Sequence, residues 1–565
     1  MPKSLTFLTH KSCDIHSSSM NFNIADIFES AVDTYAQRDC LVCDDQRRSY
    51  AEMEARANQL AHHLQAKGIG EGDHIGIYAM NCVEWVESIW ACFKLRAKFI
   101  NINYRYVADE LAYVFDNADL KAVIIQRQYL PLLAQLKATL PELQNKLQHI
   151  LMIDDGTAPV DVNIDYANYE QAIVGQSTAR DFAPRSEADQ YIVYTGGTTG
   201  MPKGVVWRHR EVMFALGGAV DQVTQQPVSD ASEIIARGNE GSMTTMTIAP
   251  LMHGASQWAV ISRAFEGGKV VLQSQFDAAN TWHLIEREQI NTVFIVGDAM
   301  ARPMIEAYQA MATKPDTSSL IVLASSGALF SASIKDQFFE CFPNLLIVDS
   351  IGASEVGGQG VALVQAGNTE MSGGGPTVNP LSGTVVLDED TLQPIPAGSE
   401  KIGKVARRGY IPLEYYKDPV KTAQTFVVAA DGERYSMPGD FARVEADGQI
   451  TMLGRGSVSI NSGGEKIFPE EVESAVKSHA GVFDCVVCGV PDAQWGSRVA
   501  AVIQLRGDFL KANKQPTLDD IQSHCRKKIA GYKVPREIHF VDAIPRSPAG
   551  KPNYQWAKSV ALKEQ

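Results

Sequence analysis

The segment from Tyr194 to His209 reads YTGGTTGMPKGVVWRH and concentrates glycines, hydroxyl side chains and a lysine. Small residues let backbone N–H groups approach an anion closely, and the hydroxyls and Lys203 supply further hydrogen-bond donors. The segment therefore has the chemistry of a phosphate-binding loop, and the overlapping QYIVY predicts a strand that leads into it. The alternative is a mobile surface loop, because a high glycine content is also typical of such loops.

Two common nucleotide-binding motifs do not describe this segment. A Walker P-loop places Ser or Thr directly after its lysine, whereas Lys203 is preceded by Pro202 and followed by Gly204. The dinucleotide-binding pattern G-x-G-x-x-G does not occur in the segment either. A phosphate would therefore be bound by a loop of another type.

The elements that must position these residues come from an alternation of short β-rich runs and helical stretches, which predicts layered α/β structure. An amphipathic helix is expected from Met53 to Leu64, with Gly68 placed to end it. From about Gly373 to Tyr416, Gly, Pro and β-branched residues without helical periodicity predict a β-rich subdomain. Strands are expected at HIGIYAM from His74, KAVII from Lys121, HILMI from His149, TVFIV from Thr292, LIVLASSGA from Leu320 and LLIVDS from Leu345.

A Gly/Ser-dense segment centred on Ser457 to Gly464 predicts the main linker. We therefore expect an N-terminal domain over residues 1–456 and a C-terminal domain over residues 457–565. The expected fold class is α/β: a large N-terminal region of layered α/β subdomains plus the β-rich subdomain, followed by a small mobile α+β domain.

Composition narrows the classes of partner and location. The chain has 565 residues, of which 45% are hydrophobic and 21% charged, as in globular proteins. Its net charge of -15 argues against nucleic-acid or anionic-membrane binding, because phosphate neutralisation needs clustered cations. No apolar run is long enough to cross a bilayer, and the N-terminus lacks the continuous apolar segment of a secretory signal. A cytoplasmic location is expected, with Met1 or Met20 as the start.

The nine cysteines are too few and too scattered for a disulfide scaffold. Two pairs, Cys40/Cys43 and Cys485/Cys488, have C-x-x-C spacing but lie in strand-like runs. Residues three apart in a strand point to opposite faces, so buried structural cysteines are expected there instead of a metal site.

YTGGTTGMPKGVVWRH closely resembles the signature of the adenylate-forming enzymes, which include acyl- and aryl-CoA synthetases, luciferases and peptide-synthetase adenylation domains. The resemblance continues in order from about Phe22 to Trp556. Two details of these motifs, Trp207 in the first signature and the block DSIGASE, resemble those of the branch of bacterial fatty-acyl and steroid-side-chain CoA ligases. Other matching blocks are APLMHG at Ala249, SSGALF at Ser325, SIGASEVG at Ser350, PGDFARVEADG at Pro438, LGRGSVSINSGGEKIFPEEVE at Leu453, GVPDAQWGSRVAA at Gly489 and IPRSPAGKPNY at Ile544.

The resemblance implies an ATP-dependent acid–CoA ligase. A carboxylate would attack the α-phosphate of ATP to give an acyl-adenylate and pyrophosphate, and coenzyme A would then displace AMP. ATP, coenzyme A and a carboxylic acid are the implied small-molecule partners, and Mg²⁺ is the implied metal ion. The alternatives are luciferase-like oxidation of the adenylate, transfer to a carrier protein, and a non-catalytic binding member of the same fold. The oligomeric state stays open, with a homodimer among the alternatives.

The resemblance assigns most of the nucleotide site to the large domain. Glu355 matches the acidic residue that binds Mg²⁺, and Ser354 takes the threonine position beside the α-phosphate. Ile351 replaces the usual aromatic residue, which weakens the expectation of ring stacking against adenine. Asp440 matches the carboxylate that binds the ribose hydroxyls and Arg455 the arginine that follows it, with a buried Asp–Arg pair as the structural alternative. The remaining nucleotide-binding candidates are Thr195, Gly196, Gly197, Thr198, Thr199, Gly200 and Lys203 around the phosphates, and Gly327, Ala328, Ser350, Gly352 and Ala353 in the other blocks.

The resemblance also implies two orientations of the small domain. In one, Lys551 of SPAGKPNY would act as the late catalytic lysine of adenylation, alongside Thr195 and Glu355 in the large domain. In the other, a glycine-rich loop would approach the pantetheine arm of coenzyme A. Ser457 aligns with the pivot, where relatives generally have Asp or Lys, so the hinge residue stays open. The loop candidates are Gly463, Gly464 and Lys466.

The acyl pocket is implied between the helix after the phosphate loop and the strands near SSGA and SIGA. Its candidate lining is apolar or small, without an evident buried cation, so a hydrophobic monocarboxylic acid is expected. Core packing is the alternative explanation of the same residues. His253 would stand between this pocket and the coenzyme A tunnel, where gating and structural roles are both open. The candidate lining residues are Phe214, Gly217, Gly218, His253, Trp258 and Ala353.

Overall fold

The computed structural model describes residues 20–197, 200–221, 224–369, 375–462, 465–492, 495–512, 514–546 and 551–563. Of the predicted site residues, Thr198, Thr199, Gly463 and Gly464 lie outside these ranges. The strands are β1 (Asp39–Cys43), β2 (Gln46–Ser49), β3 (His74–Tyr78), β4 (Lys98–Asn101), β5 (Leu120–Gln126), β6 (His149–Ile153), β7 (Ala167–Asn168), β8 (Gln190–Gly197), β9 (Gly200–Arg208), β10 (Thr245–Thr247), β11 (Val270–Leu272), β12 (Thr292–Ile295), β13 (Val322–Ser326), β14 (Leu346–Ala353), β15 (Gly357–Val364), β16 (Thr377–Pro380), β17 (Thr384–Leu387), β18 (Ile402–Arg408), β19 (Glu414–Tyr415), β20 (Phe426–Val428), β21 (Arg434–Ser436), β22 (Asp440–Val444), β23 (Ile450–Arg455), β24 (Ile460–Ser462), β25 (Glu465–Ile467), β26 (Val482–Asp492), β27 (Gly496–Leu505) and β28 (Glu537–Val541). The helices are α1 (Ile24–Tyr35), α2 (Tyr50–Ala66), α3 (Val83–Lys94), α4 (Ala108–Asn117), α5 (Leu130–Thr139), α6 (Pro141–Lys146), α7 (Tyr169–Ile173), α8 (His209–Ala215), α9 (Ser232–Ala236), α10 (Gly254–Phe265), α11 (Ala278–Glu288), α12 (Gly297–Ala310), α13 (Ala332–Cys341), α14 (Pro419–Thr425), α15 (Pro469–Lys477), α16 (Gly507–Lys511), α17 (Leu518–Cys525) and α18 (Tyr554–Lys563).

The largest sheet of the described residues contains fifteen strands. Its order is β2-β1-β11-β10-β12-β13-β14-β15-β16-β23-β22-β18-β21-β20, with β17 paired to β18. Neighbours from β1 to β14 are parallel, and strands buried in this way read as apolar runs. Val293, Leu323 and Ile347 from these strands share a hydrophobic cluster with the helix residues Trp282 and Phe338. The layered α/β region predicted from the sequence is confirmed.

A second sheet, β4-β3-β5-β6-β7, is parallel throughout. The predicted amphipathic helix is α2, which buries the apolar residues that recur at helical spacing. Ser49 caps its first turn, because the Ser49 hydroxyl accepts from the Glu52 N–H while the Glu52 carboxylate accepts from the Ser49 N–H. Gly68 follows the helix with a φ of +74°, in the left-handed region that favours glycine.

The QYIVY strand is confirmed as part of β8, but the chain then turns back into β9 and does not enter a helix directly. The two strands are antiparallel, with Thr195 opposite Lys203 and Gly197 opposite Gly200. Val205 and Trp207 of β9 are buried, and β19 pairs with the edge of β9 that faces away from β8. The candidate phosphate segment is therefore the end of a β-hairpin.

The β-rich region extends well beyond the predicted range of 373–416. β20 to β23 continue the β-rich region to Arg455. Their sequence is polar, so the alternation of buried and exposed residues cannot be recognised from it. β15 pairs with β16 through Gly360 opposite Pro380, so this region continues the sheet begun by the parallel strands.

The C-terminal part has its own sheet, β26-β27-β28, and its own hydrophobic clusters. α15 and α17 contribute Val472 and Ile521 to the larger of these clusters, which confirms the small α+β domain. The segment predicted as the main linker contains a single helical turn, Gly456–Val458, and strand β24, which pairs with β25. Its role as the linker stays a prediction. Burial of Ile460 and Ile467 stabilises the hairpin of β24 and β25.

None of the helices within the described ranges combines the length and apolar character needed to span a bilayer. The cysteines of both C-x-x-C pairs are buried, as their strand-like sequence predicts. Burial, together with nearby carboxylates, raises the pKa of the Cys488 thiol to about 12, so this thiol is unreactive near neutral pH.

Candidate active site

The nucleotide-binding candidates on the large sheet meet where its parallel strands end. The Ser350 hydroxyl, at the last aligned pair of β13 and β14, donates to the Ser325 carbonyl at 3.0 Å. Gly327 follows β13 with a φ of +82°, which glycine adopts without strain because it lacks Cβ. Open α/β sheets bind ligands at this carboxyl edge, so Gly327, Ala328 and residues 350–353 lie where a nucleotide could bind.

Glu355 lies in the tight turn between the antiparallel strands β14 and β15. The backbone on both sides of it is hydrogen-bonded by side chains from distant elements. The Trp207 indole N–H donates to the Ser354 carbonyl at 3.0 Å, and the Ser436 hydroxyl donates to the Glu355 carbonyl at 2.5 Å. Gly357 closes the turn with a φ of +70°.

Two further side chains complete the support of this turn. The buried Arg407 guanidinium donates from Nη1 to the Val356 carbonyl at 2.9 Å and to the Gly358 carbonyl at 2.6 Å. Burial lowers the pKa of Arg407 to about 10, so it remains charged at neutral pH. The Tyr415 hydroxyl donates to Glu355 Oε1 at 2.9 Å, which fixes the carboxylate itself. Glu355 is therefore held in place through both its backbone and its side chain.

The donor set around Glu355 fits a Mg²⁺ ion that binds together with ATP. Among the described residues, no group of three or more His, Cys, Asp and Glu side chains could hold a metal ion. Mg²⁺ is usually bound through one or two carboxylates plus substrate phosphates and water, which a single well-positioned Glu355 can satisfy.

The hairpin of β8 and β9, here called the phosphate hairpin, is anchored at its base by Asn101 at the end of β4. Its Nδ2 donates to the Tyr194 carbonyl at 2.8 Å and to the Met252 carbonyl at 2.6 Å, and its Oδ1 accepts from the Tyr194 N–H at 2.8 Å. On the opposite strand, Lys203 Nζ forms an ion pair with Asp418 Oδ2 at 2.9 Å. The predicted phosphate-binding lysine therefore already has an acidic partner from the segment after β19.

His253 occupies the N-cap position of α10 without a side-chain capping hydrogen bond. It is half-buried, and its Nε2 is covered and has no hydrogen-bond partner among the described residues. Burial first, and then the charges of Lys551 and Arg105, lower the pKa of His253 to about 4. A charge must be near an imidazole to shift its pKa in this way. Lys551 of the small domain is thus among the charges that act on the His253 imidazole.

The ribose-binding candidates face each other on one hairpin. Asp440 begins β22 and is aligned with Arg455 at the end of β23. Lys466, a candidate of the predicted coenzyme A loop, lies in β25 opposite Asn461 of β24. The roles of these residues in binding remain predictions.

The acyl-pocket candidates lie near well-packed core. Phe214 is buried on α8 and stacks on Tyr410 with ring centroids 4.3 Å apart. Trp258 is buried on α10, edge-on to Tyr191 at 5.8 Å. Gly217, after α8, allows a close approach, because a Cβ there would lie 2.5 Å from the sulfur of Met213. Gly218 follows it with a φ of +83°. These positions agree with core packing, and a pocket role for them stays a prediction.

Sequence reasoning missed several residues that position the site. These residues carry ordinary side chains, and their partners are far away along the chain: 60 residues separate Tyr415 from Glu355, and 51 separate Arg407 from Val356. The apolar flanks of Asn101 gave a weak signal, because buried polar groups require partners. The missed residues are Asn101, Arg407, Tyr415, Asp418 and Ser436.

Comparison with known proteins places the chain among enzymes that activate acids. Residues 28–416 match the family described as AMP-binding enzyme, and residues 471–551 match the AMP-binding enzyme C-terminal domain. A 3-oxocholest-4-en-26-oate–CoA ligase of Rhodococcus rhodochrous is 48% identical over 549 residues, which are 95% of this chain and 96% of the relative. A medium/long-chain-fatty-acid–CoA/3-oxocholest-4-en-26-oate–CoA ligase of Mycolicibacterium smegmatis is 44% identical over 96% of this chain and 97% of the relative.

Solved structures share the same fold. The anthranilate CoA ligase AuaEII in complex with anthranoyl-AMP superposes with a TM-score of 0.80 at 26% identity, covering 96% of this chain and 98% of that one. ATP-bound MatB from Rhodopseudomonas palustris gives a TM-score of 0.78 at 22% identity, covering 96% and 99% of the two chains.

Proposed function

We propose, from the premise that the chain belongs to the family of AMP-binding enzymes and is an AMP-forming acid–CoA ligase, that its acid is the carboxylated side chain of a 3-oxo steroid. The observation that carries this proposal is the identity with the Rhodococcus rhodochrous ligase over nearly the whole of both chains. The pocket candidates are mostly apolar or small, which supports a hydrophobic acid.

The reaction has two half-reactions. A carboxylate oxygen of the acid attacks the α-phosphorus of ATP, the bond to the bridging oxygen of the β-phosphate breaks, and pyrophosphate leaves. The thiolate of coenzyme A then attacks the acyl carbonyl carbon, and AMP leaves with the electron pair of the broken C–O bond. Because charge collects on phosphate oxygens, catalysis consists mainly of positioning and electrostatic stabilisation.

Each candidate residue has a role in this scheme. Backbone N–H groups from Thr195 to Gly200 would hold the β- and γ-phosphates, with Lys203 adding positive charge. Glu355 would hold Mg²⁺, which when bound neutralises phosphate charge. Asp440 would accept hydrogen bonds from the ribose hydroxyls. The Lys551 ammonium would stabilise the acid's carboxylate and the α-phosphate as they meet, and its influence on His253 supports this position.

A second candidate acid is a medium- or long-chain fatty acid. The observation that favours it is the Mycolicibacterium smegmatis relative, whose name includes both fatty acids and the steroid acid. The two acids share one carboxylate chemistry and differ in the bulk that the pocket must accept.

A substrate panel tests the proposal. Purified protein with ATP, Mg²⁺ and coenzyme A is assayed for pyrophosphate release and thioester formation with 3-oxocholest-4-en-26-oate, dodecanoate, hexadecanoate and benzoate. The expected result is a kcat/KM for the steroid acid about tenfold or more above that for each other acid, because burial of the ring system strengthens binding. A higher kcat/KM for either fatty acid would assign the enzyme to the second candidate.

Three other features belong to the proposal. The boundary between domains is placed at residues 456 and 457, and the gap between the two matched regions supports it. The enzyme is placed in the cytoplasm, where ATP and coenzyme A are available. A homodimer is proposed as the assembly, and light scattering of the purified protein measures it.

A further inference from the structure

The segment Glu414–Asp418, here called the brace segment, lies along the outer edge of the phosphate hairpin. β19 pairs antiparallel with β9, with Glu414 opposite Val206 and Tyr415 opposite Val205. The Tyr416 N–H extends the pairing by donating to the Gly204 carbonyl at 2.7 Å. The register of the brace segment is therefore fixed relative to the strand that carries Lys203.

Two side chains of the brace segment reach the two charged groups proposed to meet ATP. The Tyr415 hydroxyl donates to Glu355 Oε1 at 2.9 Å. Asp418 Oδ2 pairs with Lys203 Nζ at 2.9 Å, and Asp418 Oδ1 accepts from the Lys421 N–H at the start of α14. The Lys421 N–H and the Lys203 ammonium hold the pKa of Asp418 below its usual range, so Asp418 is an anion at neutral pH.

Tyr415 is well suited to orient a carboxylate. Its side chain is 4% exposed and packs beside Phe426, with ring centroids 5.6 Å apart, so its hydroxyl has little freedom to move. The hydrogen bond uses one oxygen of Glu355, and a carboxylate can bind a metal through its other oxygen. The backbone of Glu355 is fixed independently by Ser436, so Tyr415 acts on the rotamer of the side chain.

We propose that Tyr415 is a positioning residue that orients the Glu355 carboxylate for Mg²⁺-ATP, and that the Asp418–Lys203 ion pair ties the same segment to the phosphate hairpin. The inference rests on the proposed role of Glu355 as the metal ligand. It adds that the orientation of this carboxylate is set from a segment sixty residues away in sequence.

The test measures metal binding directly. Binding of Mn²⁺, a paramagnetic substitute for Mg²⁺, is followed by electron paramagnetic resonance on the full chain in the presence of α,β-methylene ATP, which cannot release pyrophosphate. Tyr415→Phe keeps the buried ring and removes the hydroxyl. We expect the Kd for Mn²⁺ to rise about tenfold, because a hydrogen bond to a charged group is lost.

Tyr416→Phe is the matched control. The Tyr416 hydroxyl also donates to a carboxylate, Asp119 Oδ2 at 2.9 Å, but on the side away from Glu355. A general loosening of the brace segment would weaken Mn²⁺ binding in both variants. Equal Kd values for Tyr415→Phe and Tyr416→Phe would therefore overturn the inference.

Glu355→Gln separates this inference from the function it rests on. If Glu355→Gln leaves the Mn²⁺ Kd unchanged, the metal role of Glu355 is wrong and the inference falls with it. If Glu355→Gln weakens binding while Tyr415→Phe does not, the metal role stands and the positioning role is wrong. When both weaken binding, the double variant should be no weaker than Glu355→Gln alone, because Tyr415 acts through Glu355.

Discussion

His209 is a buried histidine whose surroundings favour the neutral imidazole. Its Nδ1 accepts from the Ile24 N–H at 3.3 Å and faces Asn23 Nδ2 at 3.1 Å. Burial, the largest cause, lowers the pKa of His209 to about 4, with Asp189 opposing and Arg185 adding to the shift. The first helix of the large domain is therefore anchored on a side chain that must stay uncharged.

We expect His209 to make the protein acid-sensitive. The unfolded chain binds a proton at His209 near the usual pKa of about 6.5, whereas the folded chain binds it only near 4. The contribution of His209 to stability is thus complete above about pH 6.5 and is lost as the pH falls from there toward 4, at about 1.4 kcal/mol per pH unit.

Urea unfolding of the wild type and His209→Gln at pH 7.5, 6.5 and 5.5 measures this contribution. The free energy of unfolding of the wild type should fall more steeply with decreasing pH, because the variant has lost one proton-binding site that differs between the two states. Parallel curves would contradict the assignment of a depressed pKa to His209.

For individual residues, the sequence predicted candidates that belong to a motif. It did not predict the residues whose hydrogen bonds hold those candidates in place. Glu355 could be named as a candidate because the block around it resembles a known family. Arg407 could not, because its two carbonyl acceptors lie in the turn after β14 (Val356) and in β15 (Gly358), and any backbone carbonyl can serve. Hydrogen bonds between distant parts of a chain depend on the fold and leave no local pattern.

The Asn101 side chain attaches the base of the phosphate hairpin to two neighbouring elements. Asn101 is 2% exposed and satisfies both backbone groups of Tyr194 and the carbonyl of Met252. It joins the end of β4, the hairpin and the segment before His253. Loss of its side chain would leave three buried backbone groups without this partner.

We expect Asn101→Ala to lower the free energy of unfolding by about 2 kcal/mol, because buried polar groups would lose their hydrogen bonds. Affinity for α,β-methylene ATP should also fall, since the base of the hairpin loosens. Asn103→Ala is the control, because Asn103 Oδ1 accepts from the Arg105 N–H in a local turn. Calorimetric titration and urea unfolding measure both effects, and a loss confined to stability would argue against a role of Asn101 in the hairpin's geometry.

Element types were predictable where periodicity was strong, as in α2 and the parallel strands. The return strand β9 was not, because MPKG offers a proline, a lysine and a glycine where a strand signal is expected. β20 to β23 were not predicted for a related reason, because they are short and charged turns separate them. β21 and β22 pair with residues 402–408, β23 pairs with residues 377–380, and β20 pairs with β21. Pairing over such distances decides these strands more than local propensity does.

The two parts of the molecule contact each other through aromatic side chains. The Arg302 guanidinium on α12 lies over the ring of Phe483 of the small domain, 4.5 Å from its centroid. Arg302 is 4% exposed, so this cation–π contact is shielded from water. Phe468 packs with Phe441 and Leu453 across the same boundary.

We expect Arg302→Ala to slow acyl-adenylate formation about fivefold and to spare thioester formation from supplied acyl-adenylate, because the contact stabilises one domain orientation. Lys551→Ala should abolish the first half-reaction and leave the second intact. Lys314→Ala is the control, since its ammonium lies 4.9 Å from the Tyr308 ring centroid, away from the small domain. Pyrophosphate exchange and thioester assays measure the two steps separately. Equal loss of both steps in the variants would contradict the assignment.

The division into a large and a small domain could be predicted from the Gly/Ser-dense linker, but the contacts between them could not. Arg302 and Phe483 carry no shared motif, and their meeting depends on how two separately packed cores are oriented. The sequence likewise indicated a separate β-rich subdomain, whereas its strands continue the parallel sheet through the pairing of β15 with β16.

The position of β1 in the large sheet has a consequence for biosynthesis. β1 leaves the ribosome before its parallel neighbour β11, so Leu41 must wait for Val270 before the two strands can pair. Until then the emerging polypeptide carries an apolar edge that could pair with other nascent chains. The pairing of β1 within this sheet therefore cannot be completed until more than two hundred further residues have been translated.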